Sequence, residues 1–368
     1  MRIQIAERLR PYSHLPGTRL LLSGTSYCLE IFPALIRIYA IETNNLRLIE
    51  QIHLHIIGPV QEFTILQDLE NGKVTVWGHA LNGFIRYHIL SEKDGKGVRL
   101  IVEKGPVEGI QIRFHETYSR LLLAKESLDF FVKTNEFSLS SPIQGSRLSL
   151  GNHKAQDWNL VKRRLDLTEI LPVWNRLGEL TPSISLNDVE FSSNLILLKN
   201  CEELIRMEKR EEIVQSFKNL FQAGFSDLLV PRLVDNQHHG FIPEGKITPM
   251  FTVSPLVLLS EGSRLIRSLF VQQQGSEIKI LPVLPPEFHC GRIIQLNIQG
   301  GNLSIEWTKK TIRRLIFYST ENQTCNFVFR KVNEYRLKRN EQDKGQIVSK
   351  DTPIATEKNC YYFFDNFK

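Results

Sequence analysis

The sequence predicts an α+β multidomain protein with an N-terminal antiparallel β-sandwich, a short helical region and a C-terminal β-domain. Short runs rich in Ile, Val, Phe and Tyr recur up to residue 150, helical patterns follow to residue 272, and strand-like runs then return. The 368 residues exceed the roughly 250–300 at which a single core stops growing. We therefore expect three parts, residues 1–150, 151–272 and 273–368.

The N-terminal part contains strand-like runs that are separated by turn residues. The runs are Leu20–Leu22, Leu29–Tyr39, Leu46–Ile57, Val74–Trp77, Phe84–Leu90, Val98–Val102 and Ile110–Phe114, and the turn pairs are Asn71-Gly72, Asn82-Gly83 and Asp94-Gly95. Such pairs favour tight hairpins, and regular short strands are typical of an antiparallel sandwich. His53 and His55 alternate with apolar residues, which indicates a solvent-facing strand face. No third ligand accompanies them, so we predict no metal site.

The central part begins with two predicted helices. Asp157 is placed to cap a helix from Trp158, and Pro172 is expected to kink or split that segment. A second helix is predicted from a capping-box-like start at Asn200 to a glycine end at Gly224.

A third helix precedes the C-terminal β-domain. Ser254 begins it as an N-cap followed by proline, and the apolar pattern continues to about Val271. The strand-like runs that follow are Ile278–Leu281, Ile293–Ile298, Leu303–Trp307, Arg314–Tyr318 and Asn326–Arg330. The charged segment 331–350 indicates a loop or a tail, and residues 361–364 predict a last strand.

The stretch from Leu265 to Trp307 carries a series of architectural motifs. In order they are Gly275, Leu281-Pro282-Val283-Leu284-Pro285, Gly291, Gly300-Gly301 and Glu306-Trp307. This series resembles the end of glycoside hydrolase family 95 α-L-fucosidases, and related maltose phosphorylase-like enzymes with a β-sandwich and an (α/α)6 barrel end similarly. The resemblance implies that the helical region is a truncated α/α-barrel remnant between two β-domains.

Two departures from this family argue against its catalytic mechanism. The family barrel needs about twelve helices, whereas residues 151–272 have room for about three to five at ordinary lengths. The family also places a catalytic aspartate in a Gln-x-Asp-x-Asn-Phe-Gly element before the last helix, and Val257 stands at that position here. Inverting hydrolysis needs two carboxyl groups roughly 6.5–9.5 Å apart. Because valine has no carboxyl group, the family's catalytic base is not carried over to any residue of this sequence.

Acidic and histidine residues cluster in and after the polar loop between the second and third helices. Asp235, Glu244 and Glu261 are the candidate catalytic residues, as general acid or base of a rebuilt site. His238 and His239 are candidate substrate-binding residues beside them. A solvated connecting loop is the alternative interpretation, with Glu261 on the polar face of its helix.

A second candidate substrate-binding group lies where the N-terminal β-domain meets the first helix. It consists of His153, Gln156, Asp157 and Trp158. Tryptophan faces stack on pyranose rings while polar side chains orient the hydroxyl groups. The alternative is a helix N-cap and a core tryptophan that anchors the interdomain joint.

Composition and missing motifs bound the remaining function classes. Hydrophobic residues make up 42% and charged residues 23%, which is typical of a globular protein. The net charge of +6 is scattered, so we expect no nucleic-acid partner. No apolar run approaches the ~18 residues of a membrane span, and no signal peptide is visible, so a cytoplasmic protein without a membrane partner is expected. Five cysteines without Cys-x-x-Cys spacing suit reduced thiols, and no cofactor motif is found.

The sequence therefore predicts a diverged glycoside-hydrolase-like protein that binds or processes carbohydrate. The missing motif favours a form without catalysis, and any enzyme activity is expected to be that of a glycosidase. The alternative is a scaffold that uses the β–α–β architecture to bind a protein partner. A polar cleft with two carboxyl groups would favour the enzyme, and an exposed apolar patch on the helical part would favour the scaffold.

Overall fold

The computed structural model describes residues 2–42, 46–92, 97–115, 117–131, 145–184, 194–235, 253–340, 342–350 and 352–368. Within these residues, β-sheets occupy both ends of the chain and five short helices lie between them. This arrangement confirms the predicted α+β multidomain class. The predicted turn at residues 94–95 lies outside the described residues.

The N-terminal part is an antiparallel sandwich of two six-stranded sheets. The strands that precede the first helix are β1 Tyr12–Ser13, β2 Thr18–Leu21, β3 Tyr27–Phe32, β4 Leu35–Ile41, β5 Leu46–Leu54, β6 Gln61–Asp68, β7 Lys73–Ala80, β8 Gly83–Ser91, β9 Gly97–Lys104, β10 Ile110–Phe114, β11 Tyr118–Leu122, β12 Ser127–Phe131 and β13 Arg147–Ser149. The sheet orders are β1-β6-β7-β8-β9-β12 and β11-β10-β5-β4-β3-β2. Alternate residues such as Ile36 and Ile38 in one sheet and Val74 and Val76 in the other fill one hydrophobic core.

The structure changes two details of the predicted N-terminal strands. The run Leu29–Tyr39 is two strands, because the chain turns at Pro33-Ala34 and pairs β3 with β4. Strands β6, β11 and β12 also form without having been predicted. The predicted hairpin turns at residues 72 and 83 are confirmed, since Gly72 and Gly83 adopt φ values of +64° and +130°.

The helical part begins after β13. Its elements are α1 Trp158–Arg164, α2 Leu167–Glu179, α3 Asn194–Arg206, α4 Arg210–Gly224, β14 Phe225–Ser226, β15 Val230–Pro231 and α5 Val257–Phe270. The Asp157 carboxylate caps α1 as predicted, by accepting a hydrogen bond from the Asn159 N–H at 3.0 Å. Of the two expectations for Pro172, a kink or a split of the segment, the split is wrong. Helix α1 ends at Leu165, which adopts a left-handed conformation, and Asp166 is the N-cap of α2. Pro172 lies inside α2.

The predicted second helix is also two helices. Asn200 lies inside α3 and does not cap a helix. The chain turns between α3 and α4, where Glu208 adopts a φ of +54°. No proline or glycine marks this turn in the sequence. The helical spacing of apolar residues continues through it, so the two helices were predicted as one. Gly224 is the last residue of α4, close to the predicted end.

The C-terminal β-domain contains a seven-stranded and a four-stranded sheet. Its strands are β16 Val271–Gln274, β17 Glu277–Ile280, β18 Cys290–Ile298, β19 Gly301–Thr308, β20 Thr311–Ser319, β21 Gln323–Phe329, β22 Glu334–Lys338, β23 Gln346–Ser349, β24 Ile354–Thr356 and β25 Tyr361–Asp365. The sheet orders are β13-β18-β19-β20-β25-β22-β23 and β16-β17-β21-β24. The Phe327 ring of the four-stranded sheet packs against the seven-stranded sheet. Its centroid lies 5.5 Å from that of Phe317 and 4.9 Å from that of Phe364.

Two segments behave differently from their sequence patterns. Strand β13, which falls within residues 1–150, pairs with β18 and so belongs to the C-terminal sheet. The charged segment 331–350 is neither a loop nor a tail, because β22 and β23 form an antiparallel pair there. The predicted last strand, at residues 361–364, is confirmed as β25.

An aromatic joint connects α5 with the C-terminal sheet. The Trp307 ring on β19 is fully buried, and its centroid lies 5.3 Å from that of Phe270 at the end of α5. The Trp307 Nε1–H donates a hydrogen bond to the Phe288 carbonyl at 3.1 Å. A Cβ atom at Gly291 would lie 2.3 Å from the Trp307 ring, so this glycine permits the close approach.

Candidate functional site

A cleft of about 1610 Å³ lies on the outer face of the seven-stranded sheet. Strands β18, β19, β20 and β25 form its floor, and the N-terminal residues 2–6 line it as well. The alternation of strand side chains explains its polarity. On β19, Leu303 and Ile305 are buried in the core, whereas Asn302 and Ser304 line the cleft.

Planar amide groups are a main part of the described lining. They belong to Gln4, Gln295, Asn297, Asn302, Asn340 and Asn359. Each amide carries both donors and an acceptor, so it can match a ligand hydroxyl group, which also donates and accepts. The Asn359 amide is oriented by the sheet, because its Oδ1 accepts a hydrogen bond from the Tyr318 hydroxyl at 3.1 Å.

Three aromatic rings stand together on the cleft floor. Tyr318 on β20 and Tyr361 on β25 have ring centroids 4.7 Å apart, with 43° between their planes. The Phe363 ring lies 6.1 Å from Tyr361 and nearly parallel to it, at 23°. Tyr361 is 52% exposed although it stands on a central strand, so its ring offers a flat apolar surface to a ligand.

A cross-strand ion triad spans β18, β19 and β20, four residues along β20 from Tyr318. The Glu306 carboxylate on β19 accepts hydrogen bonds from the Arg292 Nε–H at 2.8 Å and the Arg314 Nε–H at 2.5 Å. Burial by itself raises the pKa of Glu306, but the hydrogen bonds from Arg314 and Arg292 outweigh it and hold that pKa below its ordinary value. Glu306 is therefore ionised and engaged, which is unsuitable for a general acid.

The described lining is basic and contains no acidic side chain. Its charged residues are Arg2, Arg147, Arg292, Arg314 and Arg339. Glycoside hydrolysis by the usual routes needs a pair of carboxyl groups at the scissile bond. The described part of the cleft can therefore bind a polar ligand but has no such pair to cleave it.

The candidate catalytic residues lie elsewhere in the structure. Asp235 is fully buried, and its carboxylate is 3.1 Å from the Arg232 guanidinium. The Glu261 carboxylate forms an ion pair with Arg264 at 2.5 Å on the surface of α5. Neither residue lines the cleft. Glu244, His238 and His239 lie outside the described residues.

Two of the candidate substrate-binding residues hold the N-terminal segment in place. The His153 Nδ1 is 3.0 Å from the Glu7 carboxylate. The Gln156 Oε1 accepts a hydrogen bond from the Arg10 N–H at 2.6 Å. Both contacts join the segment before β1 to the start of α1, so they account for these side chains without a ligand.

The other two members of that group have structural roles in α1. Asp157 is its N-cap, and its carboxylate is engaged by the first backbone N–H groups of the helix. Trp158 is only 2% exposed and packs against Phe221, with ring centroids 6.2 Å apart. A sugar ring cannot stack on a buried indole, so the structure corresponds to the alternative interpretation, a core tryptophan at the joint.

Sequence reasoning did not identify the cleft residues. Strand alternation was the available signal, since polar residues alternate with apolar ones in 302–306 and aromatic residues are consecutive in 361–364. That signal predicts two faces for each strand but not which strands become neighbours. The cleft arises only because β25 inserts beside β20.

Comparisons with known proteins add no assignment to this geometry, because no family model matches the chain and no curated protein gives a significant match.

Among the described helices, none has the length and apolarity that crossing a bilayer requires. In the same part of the chain, no three His, Cys, Asp or Glu side chains are grouped so that they could hold a metal ion.

Proposed function

We propose that this protein binds carbohydrate in the cleft of the C-terminal sheet and does not cleave it. The observation that carries the proposal is the exposed Tyr361 ring on a strand floor that also presents several amides and arginines. Sugars present apolar ring faces together with hydroxyl groups, and this lining offers a partner for each.

The aromatic residues and the amides would divide the recognition between them. The Tyr361 ring, supported by Tyr318 and Phe363, would stack on the apolar face of a pyranose. Asn302 and Asn359 would donate to and accept from the hydroxyl groups at the ring edge. This combination of a few convergent polar groups with an apolar surface is typical of small-ligand sites.

The basic lining supports binding over hydrolysis. The described lining has no carboxyl group that could serve as acid or base, and Glu306 beneath it is engaged by two arginines. The proposal thus keeps the carbohydrate expectation in its non-catalytic form.

The helical part offers less support for a scaffold that binds a protein partner. On the five described helices, the exposed large apolar side chain is Leu160, and Met207 is exposed in the turn just after α3. The two residues belong to different elements, and single exposed apolar residues are normal on a protein surface. The apolar patch that would favour a partner is therefore not found on the described helices.

Isothermal titration calorimetry with a panel of oligosaccharides tests the proposal. We expect the wild-type protein to bind at least one oligosaccharide and Tyr361→Ala to bind it about tenfold more weakly, which corresponds to about 1.4 kcal/mol. Tyr118→Ala is the matched control, because Tyr118 is 64% exposed on β11 of the N-terminal sandwich. No binding to any panel member, equal binding by wild type and Tyr361→Ala, or release of new reducing ends would contradict the proposal.

A further inference from the structure

We infer that the cleft selects acidic glycans, in which carboxylate or sulfate groups decorate the sugar chain. The inference rests on the proposed carbohydrate function and names its ligand class. It is carried by the charge balance and the donor geometry of the cleft arginines.

The arginines of the triad exceed the negative charge that neutralises them. Arg292 and Arg314 share the single carboxylate of Glu306, so the three residues together have one surplus positive charge. Glu306 is only 13% exposed, whereas the Arg292 and Arg314 side chains are 41% and 34% exposed. A ligand in the cleft therefore meets guanidinium groups and not the carboxylate.

The triad also leaves hydrogen-bond donors available. Both arginines bind Glu306 through Nε–H, and within the described part of the chain no other acceptor is bonded to either guanidinium. The remaining N–H groups of each planar fork match the oxygen spacing of a carboxylate or sulfate. The arrangement is thus suited to an anionic group that approaches from the cleft.

A third arginine, Arg339, also lines the cleft. Arg339 pairs with Glu357 at 3.2 Å, but the two side chains are 64% and 66% exposed. Such a solvated pair contributes little and is readily exchanged for a ligand anion.

The positions of the arginines indicate a chain and not a single sugar. Arg314 and Tyr318 are outward-facing residues of β20, four positions apart. At the rise of a strand this separation is roughly 13 Å. A ligand that stacks on the tyrosines and reaches Arg314 must therefore be an oligosaccharide.

The N-terminal sandwich provides a matched control triad. There the Glu30 carboxylate accepts hydrogen bonds from the Arg19 Nε–H at 2.9 Å and the Arg37 Nη1–H at 3.0 Å, again across three neighbouring strands. These residues do not line the cleft. Arg37→Gln thus removes the same charge from the same kind of contact at a distant place.

The experiment measures binding of the full chain to three oligosaccharides of equal length, one neutral, one of hexuronate units and one sulfated. We expect at least one acidic probe to bind wild type about tenfold or more tightly than the neutral probe, and the preference to weaken as salt rises. The two acidic arms show whether carboxylate or sulfate is the preferred anion. Arg314→Gln should reduce the preference at least fivefold, and Arg37→Gln should retain it.

Two further variants distinguish a loss of ligand binding from a loss of folding. Arg339→Gln alters only an exposed rim side chain and should weaken acidic-probe binding by about twofold or more. Glu306→Gln removes the neutralising carboxylate, so it should strengthen binding of the acidic probe. Loss of folding alone cannot produce opposite signs for Arg314→Gln and Glu306→Gln.

Several results would overturn the inference. They are equal binding of neutral and acidic probes, weaker acidic-probe binding by Glu306→Gln, or equally tight binding of a single-stranded oligonucleotide of the same charge. Neutral binding that depends on Tyr361 but shows no acidic preference would refute the ligand class and leave the proposed function standing. Absence of binding to all three sugars would refute both.

Discussion

Trp307→Ala is expected to lower the free energy of unfolding by about 3–5 kcal/mol, the range for removing a large aromatic side chain from a core. The indole is fully buried between Phe270 and Gly291, and its N–H donates to the Phe288 carbonyl. Truncation leaves a cavity and an unsatisfied carbonyl at the joint between α5 and the terminal sheet. Chemical denaturation followed by circular dichroism measures the change.

Trp77→Ala is the matched control for this prediction. Trp77 is half-buried on β7 and has one face near the Arg86 guanidinium, 5.9 Å from the ring centroid. We expect its loss to cost about 1 kcal/mol. A Trp307→Ala effect no larger than that of Trp77→Ala would contradict the structural account of the joint.

Asp235→Ala is expected to lower the free energy of unfolding by about 3 kcal/mol, because it removes one partner of a buried ion pair. The Asp235 side chain is fully buried, and the Arg232 guanidinium, 3.1 Å away, is only 19% exposed. The substitution leaves that cation in a poorly solvated place without this carboxylate. Denaturation curves at neutral pH measure the effect.

Glu261→Ala is the control for the charge change alone. Its partner Arg264 is 52% exposed and also pairs with Glu202, so we expect the substitution to lower the free energy of unfolding by less than about 1 kcal/mol.

We expect no aryl-glycoside hydrolysis by the wild-type protein. Hydrolysis by wild type that Asp235→Ala abolishes without a loss of stability would assign Asp235 the catalytic role that the sequence suggested.

The fold class could be predicted because strand and helix periodicities differ and each recurs in its own part of the chain. The predicted element boundaries were wrong where no proline or glycine marks the end of a helix or strand. The turn between α3 and α4 has neither proline nor glycine, and β22 lies in a charged segment where only alternate residues, Tyr335 and Leu337, are buried. Local propensity is a weak guide when tertiary packing decides the outcome.

The cleft could not be predicted because its residues are distant in the sequence. Arg147, Asn302 and Tyr361 belong to three segments that meet only through the strand order of the seven-stranded sheet. The sequence left two roles open for Trp158, a sugar-stacking residue or a core tryptophan at the joint, since an indole beside polar groups suits either. The indole is buried in the structure, and this burial depends on the packing of α1, which the local sequence does not specify.

Protection of Cys360 from alkylation tests most directly whether the ligand occupies the cleft. Cys360 lines the cleft and is partly exposed, whereas the exposed Cys290 can be removed as Cys290→Ser. Burial raises the pKa of the Cys28 and Cys201 thiols to about 12, and it also raises the pKa of Cys325, so these three react slowly.

In the Cys290→Ser protein, we expect a saturating oligosaccharide to slow the labelling of Cys360 at least fivefold, as measured by mass spectrometry of the peptide that contains it. An unchanged labelling rate, under conditions where calorimetry shows the oligosaccharide bound, would place the ligand elsewhere and contradict the cleft assignment.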